Sequence, residues 1–276
     1  MESNAPQGES GAAGINGNTP QLKFDDNAFL CVFYDNGATW TSLGVKALAF
    51  TSVIDIDNNL RLSLLDDYTY TVDGFYKEDG CKVLNIPAAY NGIPITQISR
   101  EAFMNCTSIT EINLSSKIKK IEIQEFSECT GIENLIIPEG VDFINSNAFY
   151  GCTGLKSIEI SDTVTILGPS VFQRCSNLSS VKLGANLKRI ELYAFSSTAL
   201  TNVTIPNNVE YLDQDAFSWC KSLESITLPK SIIAFGMCVF ANSPKLSTIN
   251  YCGSKAEWEN ISKQNYWKPD CEFTIN

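Results

Sequence analysis

The chain of 276 residues contains no histidine. That absence removes Ser-His-Asp and Cys-His nucleophilic systems, histidine-ligated zinc and the usual proton shuttle near neutral pH. Basic residues are scarce as well: 20 Lys and Arg stand against 31 Asp and Glu, a net charge of −11. Nucleic acid and anionic membrane surfaces are held through several Lys and Arg contacts, so neither is an expected partner. The clusters Lys117/Lys119/Lys120 and Lys182/Lys188/Arg189 are read as solvated rims. No run approaches the roughly 18 apolar residues of a membrane-crossing helix. The opening Met1-Glu-Ser-Asn is polar and has no signal-peptide pattern, as expected of a mature or trimmed form. A Gly-rich phosphate loop and any C-x-x-C pair are also missing. A carboxylate-pair hydrolase survives these cuts, but the acidic residues fall mostly where the sequence varies, and solvation explains them.

What is present is a period. Phe103, Phe126, Phe149, Phe172, Phe195, Phe217 and Phe240 recur at intervals of 23, 23, 23, 23, 22 and 23 residues. Ile95, Ile118, Val141, Val164, Leu187, Val209 and Ile232 precede them by eight positions, and Ile98, Ile121, Ile144, Leu167, Ile190, Leu212 and Phe235 by five. Ile109, Ile132, Leu155, Leu178, Leu200, Leu223 and Leu246 open an L-x-x-I-x-I segment downstream. The unit reads V-x-x-I-x-x-x-A-F-x-x-C-x-x-L-x-x-I-x-I-P. A period between 20 and 30 residues is the mark of a solenoid whose units pack only on their neighbours. L-x-x-I-x-I is expected to be a short strand with alternate aliphatics inward, ended in three units by Pro138, Pro206 and Pro229. V-x-x-I should form a second extended segment on the opposite wall, and A-F-x-x-C one helical or 3-10 turn. The unit from Phe195 to Leu200 loses one residue and carries Thr198 in place of cysteine.

Segments such as NSNAFYGCTGLKSIEI (145–160) and DQDAFSWCKSLESITLP (213–229) resemble the BspA-like, or Treponema pallidum-type, leucine-rich repeat family, over about Tyr68 to Asn276. The resemblance implies a mainly β leucine-rich-repeat solenoid of stacked coils with a parallel sheet. It also implies an extracellular, cell-surface location on a bacterium or protist, with a role in adhesion or host contact. It does not imply a ligand, because members share core positions and vary the exposed ones.

Along the chain, residues 1–20 are rich in Gly, Ala, Ser and Asn, which predicts a flexible leader. Residues 21–44 alternate around Asp25-Asp26-Asn27 and Asp35-Asn36-Gly37, the pattern of a small β-hairpin module. This stretch is similar to the YDNGxTW-type module near the N-termini of Bacteroidetes surface proteins. Its Tyr34 and Trp40 are read as hairpin core, with glycan stacking as the alternative. Residues 45–94 should form an N-terminal cap and a degenerate first coil, residues 95–250 seven repeats, and residues 251–276 a C-terminal cap that resembles the terminal segment of the same family. Asp55-Ile-Asp57-Asn-Asn59 lacks the glycine and glutamate of a calcium loop, since Leu60 and Asp66 stand there. Of ten cysteines, Cys106, Cys129, Cys152, Cys175 and Cys220 each sit three residues after a phenylalanine. Equivalent side chains in stacked coils point in parallel, which disfavours a disulfide, so these read as reduced core thiols. Cys252 and Cys271 are left as a possible pair.

No cofactor and no metal site is expected. The outward residues of the L-x-x-I-x-I strands are one candidate binding face, expected to lie on one continuous parallel sheet: Glu111, Asn113, Asn134, Ile136, Ser157, Glu159, Ser180, Lys182, Asn202, Thr204, Ser225, Thr227, Thr248 and Asn250. Small hydrogen-bonding side chains suit an extended ligand, a host or matrix protein or a glycan. A rival face holds the aromatics Phe143, Tyr150, Tyr193, Tyr211 and Trp219. A structural spacer is the competing reading, and a carboxylate-based glycan hydrolase using Asp25 or Asp26 a further one.

Overall fold

The computed structural model describes residues 21–24, 29–33, 41–46, 52–77, 80–267 and 274–275. The leader, both hairpin turns, Tyr34, Trp40 and Cys271 lie outside the described residues. The chain forms two compact units, one ending at Thr51 and one beginning at Ser52. In the first, strands Gln21–Phe24, Phe29–Phe33 and Thr41–Lys46 make an antiparallel three-stranded sheet with Gln21 opposite Phe33 and Val32 opposite Thr41.

The second unit opens with an antiparallel meander, Ser52–Asp55, Leu60–Leu64 and Tyr70–Phe75. Asp55 is spent on its own turn, accepting from the Asn58 backbone N at 3.2 Å and from its Nδ2 at 2.8 Å. Tyr70–Phe75 then pairs in parallel with Ile93–Ile98, so the meander hands its edge to the solenoid. Val83–Ile86 pairs in parallel with Glu111–Leu114, with Leu84 beside Ile112 and Ile86 beside Leu114.

From there each coil has two extended walls and a turn. Inward aliphatics on both walls are almost entirely buried, and the seven phenylalanines lie fully buried between them. The rings stack coil on coil at centroid separations of 5.3 to 6.2 Å and interplanar angles of 2 to 25°. One residue per coil thus supplies the apolar area that a coil this thin cannot bury alone.

The two walls differ in continuity. The short V-x-x-I wall is a single seven-stranded parallel sheet: Lys120–Ile121, Phe143–Ile144, Ile166–Leu167, Arg189–Ile190, Tyr211–Leu212, Ala234–Phe235 and Ser262–Lys263. The L-x-x-I-x-I wall, expected to be one continuous sheet, is parallel but divided into three. Breaks fall between Glu111–Leu114 and Asn134–Ile137, and between Ser180–Lys182 and Asn202–Thr204. The second break coincides with the unit that lost a residue, which displaces the following strand. At the first, Glu111 and Asn134 keep the full interval of 23, and nothing in the chain's spacing marks it. Both breaks leave inward aliphatics half-exposed: Leu114 at the first, Val181 and Leu183 at the second.

The turn is more unusual than a helical one. Its alternate N–H groups take different partners. Ala102, Met104 and Cys106 donate to the carbonyls of Ser99, Glu101 and Phe103 within the coil, whereas Phe103 and Asn105 donate across it to Glu125 and Ser127. The residue two before each phenylalanine and the residue two after it are left-handed in every coil, with φ between 56 and 68°. Of these fourteen only Gly151 is a glycine. Left-handed backbone costs an L-residue about 1–2 kcal/mol, and the inter-coil bond it directs is worth about 1 kcal/mol. The stack thus holds a conformation that no isolated turn of these residues would keep.

Cysteine's place in the turn follows from the same accounting of carbonyls. The thiols of Cys129, Cys152 and Cys175 each donate to the carbonyl of the previous coil's phenylalanine, all at 3.1 Å, and Cys220 does so at 3.2 Å. In the last coil Ser243 takes the position and donates to Phe217 at 2.9 Å. The site wants a small side chain with one donor. These four thiols are buried and unbridged, and burial pushes the Cys129 thiol well up from its ordinary value and that of Cys220 up to about 11.

The stack ends in aromatics. Ser254 caps the helix Lys255–Asn260 in a reciprocal capping box with Glu257, and the helix buries Trp258 against Phe235, Tyr251 and Trp267 at 5.9, 5.3 and 5.9 Å. Lys263 stands in register beside Phe235, where a coil would carry its inward aliphatic. Its ammonium donates to the carbonyls of Trp258 at 2.6 Å and Ile261 at 2.9 Å, lying 5.0 Å from the Trp258 ring. Strand Thr274–Ile275 pairs beside Thr248–Tyr251 at the other wall.

Candidate binding faces

On the strand wall, the outward side chains are tied to one another across the coils. Ser157 donates to Asn134 Oδ1 at 2.6 Å and Ser225 to Asn202 Oδ1 at 2.6 Å. Asn113 donates to Asn85 and to Glu111, both at 2.9 Å. Lys182 forms an ion pair with Glu159 one coil back, and its ammonium is held above its ordinary value by that hydrogen bond and charge. Beneath this row Lys156 reaches Glu133 at 2.8 Å. Exposed ion pairs contribute little stability; their consequence here is positional. Ile136 stands 66% exposed among them. Asn134, Glu159, Lys182, Asn202 and Thr204 are exposed, while Ser157, Ser225, Thr227, Thr248 and Asn250 are half-buried. Where the shortened coil interrupts the row, a cleft of about 560 Å³ opens, with Val181, Leu183, Ala185, Ile205 and Pro206 as its apolar lining and Lys182, Thr204, Asn207 and Asn208 as its polar lining.

The rival aromatics do not share one face. Phe143 and Tyr211 lie on the seven-stranded wall, in the column Lys120, Phe143, Ile166, Arg189, Tyr211, Ala234 and Ser262. Arg189 packs over the Tyr211 ring at 5.6 Å and binds Asp213 at 2.8 Å, which raises its pKa. Tyr150, Tyr193 and Trp219 belong instead to the turn, at three different positions relative to their phenylalanines. Tyr150 accepts a hydrogen bond from Arg174 at 2.9 Å. Proximity in the repeat therefore assembled a face that the coil geometry disperses.

Among the described residues no group of Asp, Glu or Cys is placed to hold a metal ion, and no helix is long and apolar enough to cross a membrane. Two carboxyls are buried among the described residues: Asp55, held in its turn, and Glu125, fully enclosed, which occupies a position where the other coils carry alanine or valine. The Glu125 Oε1 accepts from the Glu122 backbone N at 2.7 Å, and its Oε2 has no partner. Desolvation holds its pKa well above the ordinary value, opposed in part by the hydrogen bond from the Glu122 backbone and reinforced slightly by the Glu122 charge.

Stacked coils with one inward phenylalanine, two short walls and a thiol-anchored turn define a leucine-rich-repeat solenoid. The chain belongs to the BspA type leucine rich repeat family, whose repeat region matches residues 96–221 and 188–265 in six copies. No functionally curated protein matches it. Among solved structures, a leucine rich cell surface protein of Faecalibacterium prausnitzii is 17% identical, spanning 76% of this chain and 97% of its own, at a TM-score of 0.48. A leucine-rich repeat protein of Bacteroides ovatus is 21% identical over 80% of this chain and 78% of its own, TM-score 0.39. The leucine rich repeat protein of T. pallidum is 17% identical over 81% and 86%, TM-score 0.41.

Proposed function

We propose that the chain is a non-catalytic adhesion module displayed at a bacterial cell surface, which holds an extended host or matrix protein, or a glycan, against its strand wall. The observation that carries this reading is the pre-ordered outward row. Asn134, Ser157, Glu159, Lys182, Asn202 and Ser225 are fixed by bonds between coils before any ligand arrives. A ligand therefore meets side chains whose ordering cost has been met in folding, which is how rigid surfaces gain affinity. Ile136 supplies an exposed apolar anchor at the Asn134 end of that row, beside Glu159. A structural spacer has no need of either feature. Membership of the repeat family supports display and contact.

A protein and glycan array probed with residues 52–276 and with the full chain tests the reading. Binding should survive removal of the first unit and fall about tenfold or more in Asn134→Lys/Glu159→Lys, with the melting temperature unchanged. Retained binding in that variant, with loss in Phe143→Ser/Tyr211→Ser, would move the contact to the seven-stranded wall, whose column runs without a break.

A further inference from the structure

The turn edge of the solenoid carries a site of its own. Two residues after each phenylalanine the chain places Asn105, Glu128, Gly151, Arg174, Ser197, Trp219 and Asn242, all left-handed. Their N–H groups are locked across the coils: Glu128 to Tyr150 at 2.7 Å, Gly151 to Gln173 at 2.9 Å, Arg174 to Ser196 at 2.9 Å, Ser197 to Ser218 at 2.9 Å and Trp219 to Ala241 at 2.8 Å. Side chains in this column therefore project from a rigid rail, one per coil, about 5 Å apart.

Within the column Gly151 is a notch. A Cβ there would lie 2.5 Å from the Glu128 carboxylate, so that carboxylate is folded into the space the missing side chain leaves. Glycine is not needed for the backbone, since Asn105 and Asn242 hold the same position with φ of 63 and 57°. What glycine provides is room. On the far side of the notch stands Arg174, exposed, steered by its bond to Tyr150 Oη at 2.9 Å. Among the described residues no ion pair joins it to Glu128. Between them lies a cleft of about 400 Å³ lined by Glu128, Gly151, Thr153, Arg174, Ser176 and Ser197.

That lining selects its ligand class. It has no aliphatic wall, so an apolar molecule gains nothing there. It holds one carboxylate and one guanidinium, so neither a polyanion nor a polycation is matched. Both groups are planar and bidentate, the form that engages adjacent hydroxyls in pairs. Two coils on, past the small Ser197, Trp219 is 51% exposed on the same rail. About half of this bulky, left-handed residue lies outside the packing of the stack, where it adds nothing to stability. An indole left half exposed offers a ring face on which the C–H face of a sugar can stack.

We propose that this edge is a carbohydrate groove for a neutral, extended oligosaccharide, with adjacent hydroxyls of one hexose bridging Glu128 and Arg174 and a later ring lying on Trp219. The site is separate from the strand wall and shares no residue with it.

Isothermal titration of the full chain with cello-, laminari-, manno- and xylo-oligosaccharides tests the proposal, with glycine and inorganic phosphate as competing chemistries. At least one neutral oligosaccharide should bind. Its affinity should fall about tenfold in Arg174→Ala and in Trp219→Ala, and also in Gly151→Asn, which fills the notch with the residue that the first and last coils carry at the same position. Asn134→Lys/Glu159→Lys should leave that affinity unchanged. Failure of every oligosaccharide to bind overturns the groove, as does binding indifferent to Gly151→Asn and Trp219→Ala. Glycine binding that depends on Arg174 would make the cleft a zwitterion site and also overturn it. Loss of protein binding in the strand-wall variant alone would uphold the adhesion reading whichever way the sugar titration falls.

Discussion

At the scale of single residues, the repeat specifies chemistry as well as hydrophobicity. Position three after the phenylalanine accepts Cys, Thr or Ser because each can donate to a carbonyl in a space of a few atoms. Glu125 is the residue that departs furthest from its column, a carboxyl where alanine or valine serves elsewhere. Its folded pKa is raised above the unfolded value of about 4.3. The native state therefore favours the protonated form: the stability it retains is fully present below that unfolded value. It is lost progressively as pH rises through the raised folded value. Glu125→Gln keeps the oxygen that accepts from Glu122 and removes the titration. The variant should melt higher than the parent at neutral pH, by about 1–3 kcal/mol of stability, and the two should converge in mild acid. Parallel pH-stability curves for the two proteins would show that the carboxyl is not the cause.

At the scale of elements, the inward face could be read from the sequence and the outward geometry could not. Period-two aliphatics in L-x-x-I-x-I and the phenylalanine interval fixed which residues are core, because burial imposes itself on residue type at every coil. The left-handed pairs of the turn leave only a faint mark: Asn holds three of the fourteen positions and Gly and Asp one each, beside Glu, Gln, Arg, Ser, Tyr, Cys and Trp, since the inter-coil bond more than the side chain sets φ. The dispersal of Tyr150, Tyr193 and Trp219 from Phe143 and Tyr211 follows from that turn geometry, and so was invisible in the spacing. Gly151 was the one available signal for the notch, as the single glycine at its position. The break beside Asn202–Thr204 was half legible, because the missing residue was visible but its effect on pairing was not. Inserting one glycine between Thr198 and Ala199 should restore the interval, pair Ser180–Lys182 with Asn202–Thr204, and bury Val181 and Leu183. Burial of two aliphatics predicts a gain of about 1–3 kcal/mol, and slower amide exchange across residues 180–204. An unchanged exchange pattern would place the cause of the break elsewhere.

At the scale of the whole molecule, stability in a stack is a sum of coil terms and nearest-neighbour terms, so damage is local in effect and depends on where it falls. Phe149 lies in mid-stack with a ring on each side, at 5.3 Å and 5.6 Å. Its truncation to alanine removes a full core side chain, a loss of about 3–5 kcal/mol, and severs the coupling between the coils before and after it. Trp258 lies at the end and covers Phe235 and Tyr251, which otherwise face water. Trp258→Ala also unseats Lys263, whose ammonium depends on the carbonyls of the cap helix. Native-state hydrogen exchange separates the two cases. In Trp258→Ala protection should fall most in residues 234–263 and recover steadily toward the N-terminal coils. In Phe149→Ala the loss should centre on residues 126–172 and extend in both directions. A uniform drop in both variants would mean that the coils unfold as one block, and that the aromatic cap protects the molecule by global stability instead of by sealing one end of the stack.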